Sequence, residues 1–322
     1  MILDIILTIV GAALVLVGAD KLTDGSVALA RRFSIPEMVI GLTIVAFGTS
    51  LPEFIVSLFA SIQGAPAMSI GNIVGSNLFN TLMIVGVSAV VCPIVISRAT
   101  VAKDIPLSLL ASIALPALAL DTVFSGSADG DILSHGDGIV LLCFFAIFMA
   151  YTFSMAKSGR IDGVGETSEG ATSQLSGWRT TLYIVLGIAG LIGGGELFVD
   201  GACGIARSLG VSEAVIGLTL VAGGTSLPEL ATSVVAARKG KSDIAIGNVV
   251  GSNLFNIFWI LGMCATVSPL AVQGIRPADF AVLVASMVLF WLFARTKHRV
   301  ARWEGAVLVA CYAAYLTTLI LA

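Results

Sequence analysis

The chain has 322 residues, of which 57 % are apolar and 11 % are charged, with 17 basic against 20 acidic side chains. Soluble domains carry about 25 % charged residues, so this composition excludes a soluble enzyme and a disordered protein. The net charge of −3 excludes the polybasic surface that nucleic-acid binding requires. Because a spanning helix needs about 20 apolar residues, the sequence predicts a polytopic membrane protein.

Ten apolar segments follow one another along the chain, and each is predicted to span the membrane as a helix. The first carries Asp4 where a signal peptide has basic residues, so we interpret it as a spanning helix. The five cysteines lie in or beside apolar segments without CxxC spacing and are interpreted as small packing residues. The predicted segments are 2–30, 37–61, 67–92, 99–120, 138–156, 179–207, 213–237, 242–266, 277–294 and 301–322.

Two longer polar stretches interrupt these segments. Residues 157–178 are rich in Gly, Ser, Glu and Thr and are predicted to form a flexible linker. The loop 121–137 contains four aspartates whose spacing does not match an EF-hand. We interpret it as a solvated acidic loop, with a weak cation-attracting vestibule as the alternative.

The basic residues predict the orientation. With ten spans the loops alternate between two sides, and fourteen Lys and Arg residues fall on one side against Arg207 and Arg276 on the other. This positive-inside signal predicts a multi-pass protein of the cell (inner) membrane, with both termini outside and the linker 157–178 in the cytoplasm. The fourteen are Arg31, Arg32, Arg98, Lys103, Lys157, Arg160, Arg179, Arg238, Lys239, Lys241, Arg295, Lys297, Arg299 and Arg302.

An internal repeat is the most informative feature of the sequence. Eleven of 13 positions agree between residues 41–53, GLTIVAFGTSLPE, and residues 217–229, GLTLVAGGTSLPE. Nine of 10 agree between residues 71–80, GNIVGSNLFN, and residues 247–256, GNVVGSNLFN. Both pairs share an offset of 176 residues, which indicates a duplication. The same offset pairs Asp20 with Glu196, Asp24 with Asp200, Arg31 with Arg207 and Glu37 with Glu213.

The duplication predicts the architecture. Each half holds five spans, and an odd number inserts the second half upside down relative to the first. We therefore predict an all-α membrane protein of ten transmembrane helices in two inverted five-helix repeats, residues 1–156 and 179–322, joined by the cytoplasmic linker 157–178. Inverted repeats with Gly/Pro-broken helices at matching positions are typical of secondary transporters, whose site lies near the membrane midplane.

The GTSLPE motif predicts a group of oxygen atoms. On a helix, Thr49 and Ser50 lie on the same face as Glu53, four and three residues away. Pro52 lacks an N–H, so the carbonyl of Gly48 loses its helical partner and becomes available. Local hydrogen bonds of the hydroxyls to their own helix are the alternative for the Ser and Thr residues. The second copy repeats the pattern with Gly224, Thr225, Ser226, Pro228 and Glu229.

The GNIVGSNLFN motif adds hydroxyl and amide oxygens, because Ser76 and Asn80 are four residues apart, as are Ser252 and Asn256. Its glycines form GxxxG faces that let helices approach closely and would press the second motif against the first. A helix-bridging role and direct ligation both remain open for the two asparagines that follow the first glycines. These residues are Gly71, Gly75, Gly247 and Gly251, with Asn72 and Asn248.

These candidate ligands are all oxygen atoms, which suit hard cations such as calcium, sodium and magnesium. Glu53 and Glu229 together carry a charge of −2, which balances one divalent or two monovalent ions. Without cations, repulsion and the low dielectric should make at least one of them bind a proton, so acidic pH should inhibit cation binding. The alternative is that each caps a broken helix or pairs with a basic residue, but segments 2, 3, 7 and 8 hold no Lys or Arg away from their ends.

The doubled GTSLPE and GSNLFN motifs resemble the α-repeats of the cation/calcium antiporter superfamily, and of prokaryotic sodium/calcium exchangers in particular. The resemblance implies exchange of sodium for calcium by alternating access, with segments 1 and 6 sliding across the other eight. It implies no cofactor. The implied ion ligands are Glu53, Glu229, Thr49, Thr225, Ser50, Ser226, Ser76, Ser252, Asn80 and its mate Asn256, with the backbone carbonyls of Ala46 and Ala222.

Further expectations follow from the resemblance. Asn256, where some relatives carry Asp, makes potassium dependence less expected, and the Asn-Ala-Ala-Glu type of motif typical of proton/calcium exchangers is absent. Family members usually exchange three sodium ions for one calcium, so exchange is expected to be electrogenic. Four acidic residues in segments 1 and 6 either act as gate or entry residues or are ordinary polar residues at the membrane interface. These four are Asp20, Asp24, Glu196 and Asp200.

Other functions fit these residues less well. An intramembrane hydrolase is disfavoured because the only histidines, His135 and His298, lie in predicted loops. A channel could use the same oxygen ligands, but inverted repeats with a charge-balanced site favour exchange. The remaining alternative is exchange of protons for calcium or for another divalent cation such as magnesium or manganese. Beyond the transported ions and the lipid bilayer, no protein partner is evident.

Overall fold

The computed structural model describes residues 1–124, 126, 130–161, 175–210 and 222–321. These residues form helices, four π-helical turns that join or precede some of them, and four two-residue strands. In chain order the helices are α1 Ile2–Phe33, α2 Glu37–Ile40, α3 Ala46–Thr49, α4 Leu51–Ile62, α5 Pro66–Leu78, α6 Val85–Val91, α7 Ile105–Ala119, α8 Asp121–Phe124, α9 His135–Ile161, α10 Gly177–Ser208, α11 Ala222–Gly224, α12 Leu227–Arg238, α13 Ser242–Leu254, α14 Gly262–Val267, α15 Pro277–Lys297 and α16 Arg302–Leu321. The π-helical turns are Gly41–Val45, Phe79–Ile84 and Phe255–Leu261, with a fourth, Thr100–Asp104, leading into α7.

The all-helical membrane class is confirmed. Within the described residues, seven helices are long and apolar enough to cross a membrane, and α2–α3 with α4 form an eighth candidate that is bent by 49°. The ends of the seven agree with the predicted segments to within five residues. Of the two other predicted segments, 213–237 begins outside the described residues and ends in α12, and 301–322 contains α16. The count of ten remains a prediction.

Two long helices pack against each other. Helices α1 and α10 have 32 residues each, or about 48 Å, which exceeds the ~30 Å of a hydrocarbon core and requires tilt or protrusion. Their backbones meet at glycines: a Cβ atom on Gly18 would lie 2.8 Å from the carbonyl oxygen of Gly187. Larger residues here would force the two helices apart.

The centre of the protein is formed by the two helices that carry the GNIVGSNLFN motifs. In their most apolar stretches 78 % of residues between Pro66 and Val91 are buried, and 94 % between Ser242 and Val267, against 22 % for α1 and α10. The repeated motifs therefore lie in the interior, whereas α1 and α10 lie at the periphery. Glycines allow the interior helices to pack tightly, as described below.

Acidic residues at helix starts and in one loop bind nearby backbone groups. Asp137, Asp279 and Glu304 each accept a hydrogen bond from the N–H three residues earlier, where α9, α15 and α16 begin. Asp131 accepts hydrogen bonds from the backbone and hydroxyl of Thr122. These contacts support the interpretation of 121–137 as an ordinary acidic loop, although Asp129 lies outside the described residues.

Short strands join loops from the two halves of the sequence. Ile94–Val95 pairs antiparallel with Arg299–Val300, and Ile132–Leu133 pairs with Leu270–Ala271. Helix α9 continues to Ile161 and α10 begins at Gly177, so both extend into the stretch predicted as linker.

Candidate cation-binding site

The helix breaks at both GTSLPE motifs, as the sequence predicts. Helix α3 ends at Thr49 and α4 begins at Leu51, with Ser50 between them at φ −84° and ψ 7°. Ser226 has nearly the same backbone angles before α12, φ −90° and ψ 8°. Proline occupies the first turn of both following helices because the missing N–H costs nothing there. Each break therefore places a glutamate in the first turn of a helix, where the helix dipole favours negative charge.

The two glutamates belong to one site. The Ser226 hydroxyl donates to Glu53 Oε1 at 2.9 Å, and the Ser50 hydroxyl donates to Glu229 Oε1 at 3.0 Å. The two bonds are reciprocal, since each motif's serine binds the other motif's glutamate. Glu53 is 0 % and Glu229 is 1 % exposed, and no salt bridge to either is present among the described residues. Two buried carboxylates thus face each other without a basic partner in the part of the chain described.

Asn72 and Asn248 bridge helices. Asn72 donates to the backbone oxygen of Glu53 at 3.3 Å and to Ser57 Oγ at 3.0 Å. Asn248 repeats both bonds, at the same distances, with Glu229 and Ser233. The sequence left helix bridging and ion ligation open for these two asparagines, and the observed contacts are helix-bridging ones. They hold each second-motif helix against the helix that carries its own glutamate.

The two copies differ at the threonines. The Thr49 hydroxyl lies 3.0 Å from Asn248 Oδ1, to which it donates, and 3.3 Å from the carbonyl oxygen of Ala46. That carbonyl also accepts the N–H of Ser50 at 3.0 Å. The Thr225 hydroxyl, by contrast, has no hydrogen-bond partner among the described residues. Ala222 begins α11 on the far side of this break.

Sequence reasoning missed Asn77 and Asn253. Asn256 donates to Asn77 Oδ1 at 2.9 Å, and Asn80 donates to Asn253 Oδ1 at 3.1 Å. Asn253 in turn donates to Thr81 Oγ1 at 2.9 Å. These contacts use the NH₂ groups of the two predicted ligands Asn80 and Asn256 and leave their carbonyl oxygens free. The signal was present, because the missed asparagines stand inside the repeated GSNLFN motif.

Many of the buried side-chain oxygens that lack a hydrogen-bond partner belong to the predicted ion ligands. Several buried side-chain oxygens have no hydrogen-bond partner among the described residues, and seven of them belong to residues that the sequence analysis singled out. An unsatisfied buried oxygen normally costs about 1–3 kcal/mol. Hydroxyl, amide and carboxylate oxygens are the ligands that hard cations prefer, so a bound cation would satisfy these atoms. The seven are Glu53 Oε2, Ser76 Oγ, Asn80 Oδ1, Thr225 Oγ1, Glu229 Oε2, Ser252 Oγ and Asn256 Oδ1.

Glycines set the spacing between the halves. A Cβ atom on Gly251 would lie 2.7 Å from the Ala46 side chain and 2.8 Å from the carbonyl oxygen of Leu42. One turn earlier, a Cβ on Gly247 would lie 2.9 Å from the Cα atom of Gly41. Helix α13 therefore packs directly on the backbone that leads into the first break. The equivalent contact of Gly71 and Gly75 would involve residues 217–222, which lie largely outside the described residues.

The chain is similar to known proteins over nearly its whole length. A sequence model of the sodium/calcium exchanger protein family matches residues 3–154 and 179–321. The chain is 32 % identical to sodium/calcium exchanger MaX1 of Methanosarcina acetivorans, over 98 % of both chains, and 34 % identical to inner membrane protein YrbG of Escherichia coli, over 99 % of this chain and 97 % of the relative. The structure is similar to the sodium-calcium exchanger NCX_Mj soaked with 10 mM Na⁺ and zero Ca²⁺, with a TM-score of 0.83, 35 % identity and 99 % of both chains covered.

The fold and the site define an integral membrane protein of the transporter class, with a buried, oxygen-lined site at the junction of two sequence repeats. More specifically, the chain belongs to the sodium/calcium exchanger family, because the family model covers both halves and relatives match nearly the whole length.

Proposed function

We propose that this chain is a secondary-active antiporter that exchanges sodium for calcium across the membrane. The observation that carries the proposal is the reciprocal pair of serine–glutamate hydrogen bonds, which joins the two motifs into one site of charge −2. Such a site neutralises one Ca²⁺ or two Na⁺, so both ions compete for the same oxygens. The names of NCX_Mj and MaX1 support sodium and calcium as the ion pair.

The proposed ligands are the side chains of the two broken-helix motifs and of the two asparagine motifs, together with two backbone carbonyls. Hydroxyl and amide oxygens supply neutral ligands, and the two carboxylates supply the charge. Ser50 and Ser226 also orient the carboxylates, which keeps the second oxygen of each directed away from its serine. The proposed set is Glu53, Glu229, Thr49, Thr225, Ser50, Ser226, Ser76, Ser252, Asn80 and Asn256, with the carbonyls of Ala46 and Ala222.

We further propose that ten spans in two inverted repeats surround this site, with both termini outside and the linker in the cytoplasm. Helices of equal length recur at the motifs: α4 and α12 have 12 residues, and α5 and α13 have 13. The matching bonds of Asn72 and Asn248 support the same internal symmetry.

Two pairs of helices that correspond in the sequence repeat pack differently. Helix α1 packs along α12, whereas the corresponding pair, α10 and α4, makes almost no contact. Under inverted symmetry these two contacts would lie at opposite membrane surfaces. We therefore interpret the structure as closed at the end of α12, where the basic residues collect, and accessible from the other side. With the basic side in the cytoplasm, this is an outward-facing state.

Calcium uptake by sodium-loaded vesicles tests the proposed exchange. Purified protein in proteoliposomes, diluted into sodium-free buffer, is expected to accumulate Ca²⁺ only when an outward sodium gradient is present. Uptake driven by a proton gradient, and not by a sodium gradient, would indicate that the protein exchanges protons for calcium or another divalent cation. Flux that needs no counter-ion would indicate a channel.

Exchange is expected to carry current. Three sodium ions bring the site of charge −2 to +1, whereas one calcium brings it to zero, so each cycle moves one charge. One charge crossing 100 mV is worth about 2.3 kcal/mol, or about a 50-fold change in the calcium gradient at equilibrium. Current recorded from reconstituted membranes checks this, and calcium gradients that do not respond to voltage would contradict it.

Protons are expected to compete with cations. Acidification should weaken apparent calcium affinity, because a protonated carboxyl cannot neutralise the ion and the repulsion between two buried carboxylates favours proton uptake. The measurement is the calcium concentration for half-maximal uptake from about pH 8 to about pH 5.5. An unchanged value over that range would argue against a site made of paired glutamates.

Lys239 is expected to stabilise the observed state. It follows α12 and contacts Asp20 Oδ1 at 2.7 Å and Asp24 Oδ1 at 2.6 Å, both on α1. Burial lowers the pKa of Lys239, but its hydrogen bonds to the two aspartates outweigh this and raise the pKa, so the ion pairs persist at neutral pH. The residue 176 positions earlier is Gln63, which leaves the opposite side without an equivalent ion pair.

Lys239→Gln should therefore shift the equilibrium towards the opposite-facing state by up to about fivefold, since exposed ion pairs contribute about 1 kcal/mol or less. Distances between spin labels on α1 and α12, in zwitterionic vesicles, measure the shift. Lys241→Gln is the matched control, because Lys241 pairs with Glu37 of α2 and does not contact α1 in that pair. Equal shifts in both variants would contradict a specific role for Lys239.

A further inference from the structure

A chain of hydrogen bonds leads from Asn80 away from the other proposed ion ligands. The Asn80 amide NH₂ donates to Asn253 Oδ1 at 3.1 Å, and the Asn253 NH₂ donates to Thr81 Oγ1 at 2.9 Å. The Thr81 hydroxyl donates in turn to the sulfur of Met287, on α15, at 3.3 Å. All four side chains are buried, so bulk water does not compete for these bonds.

The chain ends at an atom that can only accept hydrogen bonds, because a thioether sulfur has no proton to donate. Two further donors lie near Met287 Sδ besides the Thr81 hydroxyl. They are the Asn253 NH₂ at 3.7 Å and the hydroxyl of Ser108, on α7, at 3.9 Å. The sulfur therefore faces three donors, which is the arrangement expected of an acceptor with a fixed role.

The acceptor at Met287 determines the direction of every bond in the chain. A hydroxyl has a single proton, so Thr81, which donates that proton to the sulfur, can only accept from Asn253. Asn253 must therefore turn its NH₂ towards Thr81 and its oxygen towards Asn80. Asn80 must then turn its NH₂ towards Asn253. This leaves Asn80 Oδ1 without a partner among the described residues and available to a cation.

The second copy of the repeat has neither the hydroxyl nor the thioether at the corresponding positions. At the offset of 176 residues, Ile257 corresponds to Thr81. By the same offset, Ala111 corresponds to Met287. Ile257 and Ala111 are both buried, so the repeat accepts apolar side chains at these two positions. Packing alone therefore does not require a hydroxyl and a sulfur in the first copy, and their polar contacts need another explanation.

We propose that Met287 and Thr81, acting through Asn253, are positioning residues that keep Asn80 Oδ1 directed at the transported cation. The inference rests on the proposed function, in which Asn80 is an ion ligand. Without the acceptor-only sulfur the chain could reverse, and Asn80 would then present its NH₂, which repels a cation. The sulfur thus holds the ligand in its binding orientation before the ion arrives. Such preorganisation raises affinity because binding then requires no reorientation.

Calcium binding to the purified full-length protein, measured by isothermal titration calorimetry in sodium-free buffer, tests the inference. Thr81→Val keeps the shape of the side chain but removes the hydroxyl, and should weaken calcium affinity about tenfold, the size of one buried hydrogen bond. Thr81→Ser keeps the hydroxyl and should bind calcium like the unmodified protein. Thr152→Val is the matched control, because Thr152 is equally buried and donates to the Phe148 carbonyl of its own helix.

A double variant separates orientation from packing. Met287→Leu keeps a similar volume but removes the acceptor, which frees the Thr81 proton to donate to Asn253 Oδ1, so affinity should again fall about tenfold. Because both residues act through the same amide, Met287→Leu/Thr81→Val should also lose about tenfold, and not the roughly 100-fold of two independent effects. In proteoliposomes, the calcium concentration for half-maximal uptake should rise, while the maximal rate per folded protein is retained.

Three outcomes would overturn the inference and leave the proposed exchange intact. They are unchanged calcium affinity in Thr81→Val, multiplied losses in the double variant, and a lower maximal rate at an unchanged half-maximal concentration. The last would indicate a packing defect, which reduces the amount of active protein without reorienting a ligand. If the unmodified protein bound no calcium, the proposed function itself would be contradicted, and with it the ligand role of Asn80 on which the inference rests.

Discussion

Glu53→Gln and Glu229→Gln are each expected to abolish sodium-driven calcium uptake, with a loss of at least about 100-fold. Each substitution leaves a site of charge −1, which cannot neutralise Ca²⁺. Removing one partner of a buried charge pair costs about 3–5 kcal/mol, which corresponds to a factor of 100 or more. The glutamine oxygen can still accept the serine hydrogen bond seen at 2.9 and 3.0 Å, so the helix breaks should be retained.

A buried carboxylate outside the site provides the control. Asp104, at the start of α7, is 1 % exposed and accepts a hydrogen bond from the Tyr151 hydroxyl at 2.9 Å. Asp104→Asn removes a buried charge without touching either motif, so uptake should stay near that of the unmodified protein. Calcium-45 uptake in proteoliposomes, normalised to the amount of folded protein, measures all three variants. Substantial uptake by either Gln variant would falsify the paired-carboxylate site.

Gly251→Ala is expected to reduce uptake at least about tenfold and to lower thermal stability. Its Cβ would lie 2.7 Å from the Ala46 side chain and 2.8 Å from the Leu42 carbonyl oxygen, and the latter is backbone that cannot rotate away. Relief requires α13, which carries Ser252, to move away from the first break and from the carbonyl of Ala46. Overpacking of this kind costs about 1–3 kcal/mol, and ion ligation depends on distances of tenths of an ångström.

Gly193→Ala is the matched control, because its Cβ position on α10 has no described atom within 4 Å apart from its chain neighbours and the backbone of its own helix. There the substitution should raise helix stability by up to about 1 kcal/mol and leave uptake intact. Thermal unfolding followed by size-exclusion chromatography, together with calcium uptake, separates the two effects. If Gly251→Ala behaved like Gly193→Ala, the close approach of α13 to the first motif would not matter for the site.

The sequence by itself determined the membrane class, the duplication and the chemical type of the site. These features are local or periodic. Apolar runs set the helices, and one offset of 176 residues identifies the repeat. The helical spacing that would place Thr49, Ser50 and Glu53 on one face does not hold across the motif, because α3 ends at Thr49 and α4 begins at Leu51. Proline and glycine act on their own backbone, so the break between α3 and α4 was also predictable. The count of ten spans stays a prediction, because residues 211–221, where the seventh predicted segment begins, lie outside the described part of the structure.

Only the tertiary structure decided how the two copies meet. Ser50 and Glu229 are 179 residues apart in sequence, and no spacing rule assigns one motif's serine to the other motif's glutamate. Whether Asn72 and Asn248 bind ions or bridge helices depends on where neighbouring backbone oxygens fall. The asymmetric packing of α1 on α12 likewise arises between helices. Sequence spacing determines which side chains lie together on one helix, but the packing of helices in the interior determines which residues of the other half they contact.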